Sequence, residues 1–413
     1  MKRFSLPLEF VAPSIFLFVL PFTHTTPLRL VCLALSIVSV ALSLKRHVPL
    51  ILPEKVVLAA IAFWVFISTI ACFTSVDPSY SWGEYRNEVA WTLIAFCIFY
   101  FLTDSENAWR TWSTVLFASF CAISLLAIFS YQRDNDWLRS SFVGDRNAYS
   151  TYVVLIFPFL LFLLTRTIGK PGWRLPALAG ALLLALISGA FTQNRNLWFA
   201  IACECISFAA FFWFRQSVDV RRRLLRRYLL AAGAGAIVFP CILVYVVHEK
   251  ARHSNTSAES QARFDQDPRI GIWAYAAEHI RRRPWTGYGY GRGILRKDFR
   301  EHFDNPLKWH GHNIVVNYAL EAGIPGAAAI IGLFAALYAQ SWSIYRNAAA
   351  DIWPYGAWAL AMLIGITIKM MTDDILVRDG ALLFWSMVGM IFGLCLRRSK
   401  LQPSRADASP DDE

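Results

Sequence analysis

Residues 149–164 read Tyr-Ser-Thr-Tyr-Val-Val-Leu-Ile-Phe-Pro-Phe-Leu-Leu-Phe-Leu-Leu, sixteen positions without one formal charge. The run is continuous in its apolarity, whereas a strand of a membrane barrel alternates apolar and polar positions over about ten residues. Such a run spans a bilayer as a helix, because only helices and closed barrels satisfy every backbone group in lipid.

Working outward, eleven more runs follow the same pattern. They are Leu8–Phe22, Leu28–Leu44, Val56–Phe73, Glu88–Leu102 and Thr111–Ser130 before it, then Leu175–Phe191, Leu197–Phe214, Leu229–Val247, Asn313–Ser341, Trp353–Met371 and Ala381–Leu396. The composition agrees. Of 413 residues, 56% are apolar, the mean hydropathy is +0.42 and only 17% are charged, against about 25% in a soluble domain. These values exclude a soluble globular protein, a disordered chain and a coiled coil. The expected fold is an all-α integral membrane protein of about 12 transmembrane helices. Lys2 and Arg3 ahead of the first run suit a signal peptide, but Pro21 and His24 stand where a cleavage site would be, so this run is read as a helix.

Lys and Arg in the short loops set the orientation. With a cytoplasmic N-terminus, the inside segments hold 20 positive residues and the short outside loops hold six: Arg86, Arg133, Arg139, Arg146, Arg195 and Arg378. Both termini are therefore expected in the cytoplasm. The net charge of +11 and the basic run Arg221–Arg227 become topology signals, and no nucleic acid is expected as a partner. The layout is 1–247 for transmembrane helices 1–9, 248–312 for a periplasmic loop with amphipathic helices, 313–396 for helices 10–12, and 397–413 for a cytoplasmic polar tail. The loop carries twelve Lys and Arg, and long loops translocate largely regardless of charge. Within it, Ile270, Trp273, Ala277 and Ile280 share one helical face, which suits a helix lying on the membrane surface. Gly287-Tyr-Gly-Tyr-Gly-Arg-Gly293 is a tight turn, not a nucleotide loop, since no strand precedes it. All eight cysteines lie inside apolar runs, so neither a disulfide framework nor a Cys zinc site is implied.

Chemistry-bearing residues converge on the outer face. Arg195 sits in the short turn Thr192-Gln-Asn-Arg-Asn196, where it either snorkels to headgroups or holds an anionic group. Arg269 either pairs with Asp265 and Asp267 or does the same. In His310-Gly-His312-Asn313 a neutral imidazole can act as a general base, ligate a metal or serve structure. Asp373, Asp374, Arg378 and Asp379 fill the last outer turn, with Lys369 one turn below. Two arginines, a histidine and an acidic turn suit transfer of a group from a membrane-bound diphosphate carrier, since arginine meets phosphate oxygens in pairs without a metal.

The stretch His312-Asn313, nine residues, Gly323-Ile324-Pro325 resembles the signature of the bacterial O-antigen ligases, members of the O-antigen ligase/polymerase superfamily. Arg195 in its short loop and Arg269 four residues before Trp273 match the family's arginine positions. The resemblance implies a GT-C-like glycosyltransferase of the bacterial inner membrane with a periplasmic active site, acting in lipopolysaccharide biosynthesis. Such an enzyme transfers O-antigen polysaccharide from undecaprenyl diphosphate to a lipid A-core sugar, with inversion and without metal or other cofactor. His312 would then be the catalytic base, and Arg195 and Arg269 would hold the diphosphate. One acidic residue, Asp373, Asp374 or Asp379, is expected to matter beside them, Asn313 and Arg378 are candidate supporting residues, and His310 has no assigned counterpart. An O-antigen polymerase and a protein O-oligosaccharyltransferase use the same donor and are the nearer rivals. A lipid-linked sugar transporter would need charges at mid-membrane depth in several spans, where Glu204 is the clearest one present.

Overall fold

The computed structural model describes residues 7–45, 51–134, 143–167, 172–215, 268–305, 308–349, 351–372, 374 and 376–401, and every regular element among them is helical. In chain order these are α1 (Leu8–Val19), α2 (Thr26–Lys45), α3 (Lys55–Phe73), α4 (Pro78–Tyr85), a π turn (Arg86–Ala90) and α5 (Trp91–Leu102). There follow α6 (Glu106–Asp134), α7 (Arg146–Thr167), α8 (Arg174–Phe191), α9 (Arg195–Arg215), α10 (Pro268–Arg282) and α11 (Arg296–Phe303). The last three are α12 (Ile314–Asn347), α13 (Trp353–Met370) and α14 (Arg378–Leu401).

Eight described helices are long and apolar enough to cross a membrane: α2, α3, α6, α7, α8, α9, α12 and α14. Three more of the expected runs fall on α1, α5 and α13, which stand outside that set. The ninth expected run, Leu229–Val247, and loop residues 248–267 lie outside the described residues.

Helices in lipid associate through close packing more than through transfer from water, so small residues mark their closest approaches. The α5–α14 pair obeys this rule. A Cβ at Gly389 would stand 2.5 Å from the Phe96 carbonyl oxygen, and one at Gly393 would stand 2.3 Å from that of Tyr100. This Gly-x-x-x-Gly pair brings the two backbones together. Beside it α13 is buried along nearly its whole length, against α7, α9 and α12. Its Tyr355 packs on Phe162 of α7 and Trp109 of α6, with ring centroids 4.8 and 5.1 Å apart. Glu204 of α9 is fully buried against Gly365 of α13, and its carboxylate oxygens have no hydrogen-bond partner among the described residues.

The helix that carries the family-like motif is broken. Ala322 (φ −130°, ψ 18°) and Gly323 (φ 70°, ψ −165°) leave helical geometry and divide α12 into a short outer half and a long inner half. Only glycine occupies such a positive φ without strain. The break frees the Ile324 N–H, which donates to the Pro284 carbonyl at 2.7 Å. Pro325 then opens the inner half, where its missing N–H costs nothing. The glycine-rich turn braces the outer half: Tyr288 N–H donates to Leu320 O and Gly289 N–H to Glu321 O, both at 2.9 Å. Gly293 N–H donates to the Tyr80 hydroxyl at 3.0 Å. Burial, reinforced by nearby Glu84, pushes that phenol up to about 12. The Gly-x-Pro of the motif therefore makes a docking break for the loop that precedes α12.

Candidate active site

The turn between α8 and α9 is knitted by its own amides. Asn194 Nδ2 donates to Asn147 Oδ1 (2.9 Å) and to Ser150 Oγ (3.2 Å), both on α7. Its Oδ1 accepts from Asn196 N–H at 3.1 Å, and Asn196 Nδ2 donates to Thr372 Oγ1 at the end of α13. Gln193 sits at φ 52°, which closes the turn tightly. Arg195 follows as the first residue of α9, so the positive end of that helix and the guanidinium lie together.

His310 and His312 are placed by the outer half of α12. Asn313 caps it, its Oδ1 accepting from Val315 N–H (2.9 Å) and Val316 N–H (3.2 Å), while its Nδ2 donates to the Met371 carbonyl at 3.1 Å. Such a cap is worth about 1 kcal/mol. Before it, Gly311 is held from both sides: its N–H donates to Asn317 Oδ1 at 2.7 Å and its carbonyl accepts from Trp273 Nε1 of α10 at 2.9 Å. His312 is in the left-handed region at φ 47°. Its N–H donates to His310 Nδ1 at 3.1 Å, which leaves the proton of a neutral His310 on Nε2. The two rings stand 3.9 Å apart, with His310 buried beneath a half-buried His312.

Two cavities meet at this histidine. One, of about 600 Å³, is lined by Arg146, Arg195, Arg269, Lys369, His312 and the amides of the α8–α9 turn. Every charged side chain among its described lining residues is cationic. The other, of about 620 Å³, is lined by Asp145, Tyr149, Arg292, Trp309, His310, Arg378 and Asp379, among others. Among the described residues only His312 and Asn147 line both. The fold thus gathers Arg195, Arg269 and His312, residues 117 positions apart at the extremes, around one space.

A family model described as O-antigen ligase matches residues 144–331, from Gly144 just ahead of Arg146 into the inner half of α12. That match supports reading the chain as a member of the O-antigen ligase/polymerase family. No protein of curated function matches it. The match likewise supports activity of the ligase/polymerase type.

The remaining expected residues fall in different places. Asp373 lies outside the described residues. Asp374 is buried; its Oδ2 accepts from Asn317 Nδ2 at 2.7 Å and its carbonyl accepts from Arg292, so it braces α12 from behind. Asp379 is ion-paired to the buried Arg29 of α2 and lines the second cavity described, as does Arg378, which is 3.7 Å from Glu84. Asn313 serves the helix as its cap. Among the described residues no three His, Cys, Asp or Glu side chains group as metal ligands. Arg146 and Lys369 join the cationic cavity although the sequence offered them only as a loop charge and an in-span charge. Lys369 is 1% exposed, and a lysine so buried in a helix facing a cavity is the signal that could have singled it out.

Proposed function

We propose that the chain is an O-antigen ligase. It transfers O-antigen polysaccharide from undecaprenyl diphosphate to a hydroxyl of a lipid A-core sugar, at the periplasmic face of the bacterial inner membrane. The observation that carries this reading is the cavity in which Arg195, Arg269 and Lys369 surround His312. Guanidinium forks meet phosphate oxygens two at a time, and the ammonium adds a point charge.

In the reaction, the acceptor oxygen attacks the anomeric carbon from the face opposite the diphosphate. The bond from that carbon to the phosphate oxygen breaks, its electron pair leaves on undecaprenyl diphosphate, and the hydroxyl proton passes to His312. The product is a glycoside of inverted configuration. Negative charge grows on the leaving diphosphate, where fixed cations stabilise it. This scheme draws on no metal or other cofactor. Residues 1–247 and 313–396 form the membrane part in a GT-C-like arrangement, 248–312 the periplasmic loop and 397–413 a cytoplasmic tail.

The test is the lipopolysaccharide pattern of a deletion strain together with transfer by purified protein. Loss of the whole ladder with lipid-linked polymer retained supports a ligase, whereas core carrying one repeat makes the enzyme a polymerase. Transfer from lipid-linked donor to rough lipopolysaccharide should survive EDTA. Loss in EDTA with recovery in Mg²⁺ or Mn²⁺ would overturn the metal-free scheme. Cysteine at Lys297, in an otherwise cysteine-free chain, should react with an impermeant reagent from the periplasmic side, and cysteine at Ser399 should not.

A further inference from the structure

A base carried on a turn is only as well aimed as the backbone beneath it. His312 holds φ at 47°, a left-handed conformation that costs a residue other than glycine free energy and persists only where its surroundings enforce it. Its neighbours in the chain are fastened, Gly311 by Asn317 and Trp273 and Asn313 by the Met371 carbonyl. The amide of His312 itself donates to a side chain, His310 Nδ1, at 3.1 Å.

His310 is fixed in turn. It is 4% exposed, and its ring meets that of Trp309 edge-on at 4.2 Å and that of His312 at 3.9 Å. The guanidinium groups of Arg292 and Arg296 lie over Trp309, 5.0 and 4.3 Å from its ring centre, and Arg292 donates to the Asp374 carbonyl.

The proton state of His310 decides whether its contact with His312 survives. With Nδ1 accepting, a neutral ring carries its proton on Nε2, so a second proton has only Nδ1 to go to. There it turns the acceptor into a donor aimed at the His312 N–H. It also puts a cation beside an imidazole that must itself gain a proton during transfer. The other titratable and charged groups around the same cavity are Arg292 of the glycine-rich turn, Asp145 and Tyr149 at the outer end of α7, and Arg378 and Asp379 at that of α14. The carboxylates have partners of their own: Asp145 accepts from the Ala148 N–H at 2.8 Å, Asp379 pairs with Arg29, and Asp374 accepts from Asn317. Lys369 of α13 faces the other cavity that His312 lines.

We propose that His310 is a positioning residue: neutral, it holds the His312 amide and so aims the base, and protonated, it releases it. The inference rests on the reading of His312 as the base. Two protons then shut the site on the acid side, one taken by His312, which removes the base, and one taken by His310, which unseats it. An imidazole ordinarily titrates at about pH 6.5, within reach of an enzyme assay.

The experiment follows initial transfer rates of the full chain in nanodiscs across pH, with rough lipopolysaccharide or a lipid-linked repeat as acceptor, whichever the wild type uses. Binding of undecaprenyl diphosphate to each variant runs in parallel and also reports folding. His310→Leu keeps the bulk and removes the accepting atom. Its kcat should fall about 10–10²-fold, the scale of a group misplaced by about 1 Å, with the donor KM within about twofold of wild type. His310→Asn puts an amide oxygen where Nδ1 stood and does not titrate. It should recover most of that loss at neutral pH. Its kcat/KM, which reports the free enzyme, should fall on the acid side with a slope of about one where the wild type approaches about two. Should His310→Leu fail to fold, the Asn variant alone carries the test. Wild-type rates in His312→Ala would bring down the base, and this inference with it. A slow His312→Ala beside a His310→Asn that keeps the wild-type slope, or beside a His310→Leu of undiminished kcat, would overturn the positioning role alone.

Discussion

The two ends of the helix bundle use their arginines differently. At the end away from the cavities, Arg398 contacts Glu106 and reaches Asp351 at 3.3 Å, and Arg166 lies 3.6 Å from Glu106. Arg397 donates to the Phe101 carbonyl at 2.8 Å. These contacts tie α6, α7, the α12–α13 turn and α14 to one another. At the other end, Arg146, Arg195, Arg269 and Lys369 are brought to the wall of one cavity. Cations matched to carboxylates fasten helices; cations converging on a space set up a site for an anion. The first end is fastened by such pairs, and the second, which has pairs of its own in Arg29–Asp379 and Arg378–Glu84, adds a cavity walled by cations.

The largest effect should come at the seam of the two cavities. His312→Ala is expected to slow transfer by about 10²–10⁴-fold, the usual worth of a general base, with undecaprenyl diphosphate still bound. The check is single-turnover transfer beside a donor-binding assay. Loss of donor binding together with rate would make His312 part of the phosphate site. The arginines come next. Arg195→Lys and Arg269→Lys should each lose about 10²–10³-fold in kcat/KM, the scale for one missing donor at developing charge, because an ammonium cannot reproduce the fork. Near-normal rates in the lysine variants would reduce the cavity to a patch of generic positive charge, and the contrast between the two ends would lose its meaning.

How much of this was legible beforehand depends on the range of the interaction concerned. Apolar runs announce helices locally, and Arg195, Arg269 and His312 stand out because each interrupts its surroundings. Their meeting at one cavity is in keeping with that reading. What spacing could not say is which neighbour each polar group faces. Asn313 reads as a chemical group beside His312, yet it is spent on capping two backbone N–H groups. Asp374 and Asp379 sit five residues apart in one turn, but the first turns to Asn317 on α12 and the second to Arg29 on α2. Those partners lie 57 and 350 positions away along the chain. His310 looked peripheral to the motif, and only the fold stacks it against His312. Arg146 and Lys369 belong to different helices, and no local pattern joins them.

A smaller effect tests whether the site end depends on the break in α12. A Cβ at Gly323 would stand 2.4 Å from the Pro284 carbonyl oxygen and 2.8 Å from the Trp285 carbonyl carbon, both backbone atoms that cannot swing aside. Positive φ adds its own strain for any other residue. Gly323→Ala should therefore destabilise by about 2 kcal/mol or more and lower transfer by displacing the outer half-helix that carries Asn313. Thermal unfolding in detergent measures the first part and donor turnover the second. An unchanged melting temperature would mean that loop and helix are not locked together here.

The smallest effect belongs to the opposite end. Glu106 is about a third exposed (30%) and engages Arg110, Arg166 and Arg398. Glu106→Gln removes the negative centre of that network and leaves Arg398 its contact with Asp351. Exposed pairs are worth well under a few kcal/mol, so the expected loss is about 1 kcal/mol of stability, and it should shrink at high ionic strength, where such pairs are screened. Transfer rates below the melting temperature should stay within about twofold of wild type, because no atom of this network lines either cavity. Melting curves at low and high salt, set beside initial rates at one temperature, separate the two quantities. A rate loss comparable to that of Arg195→Lys would mean that the far end transmits strain to the site, and the division between a fastening end and a transferring end would have to be abandoned.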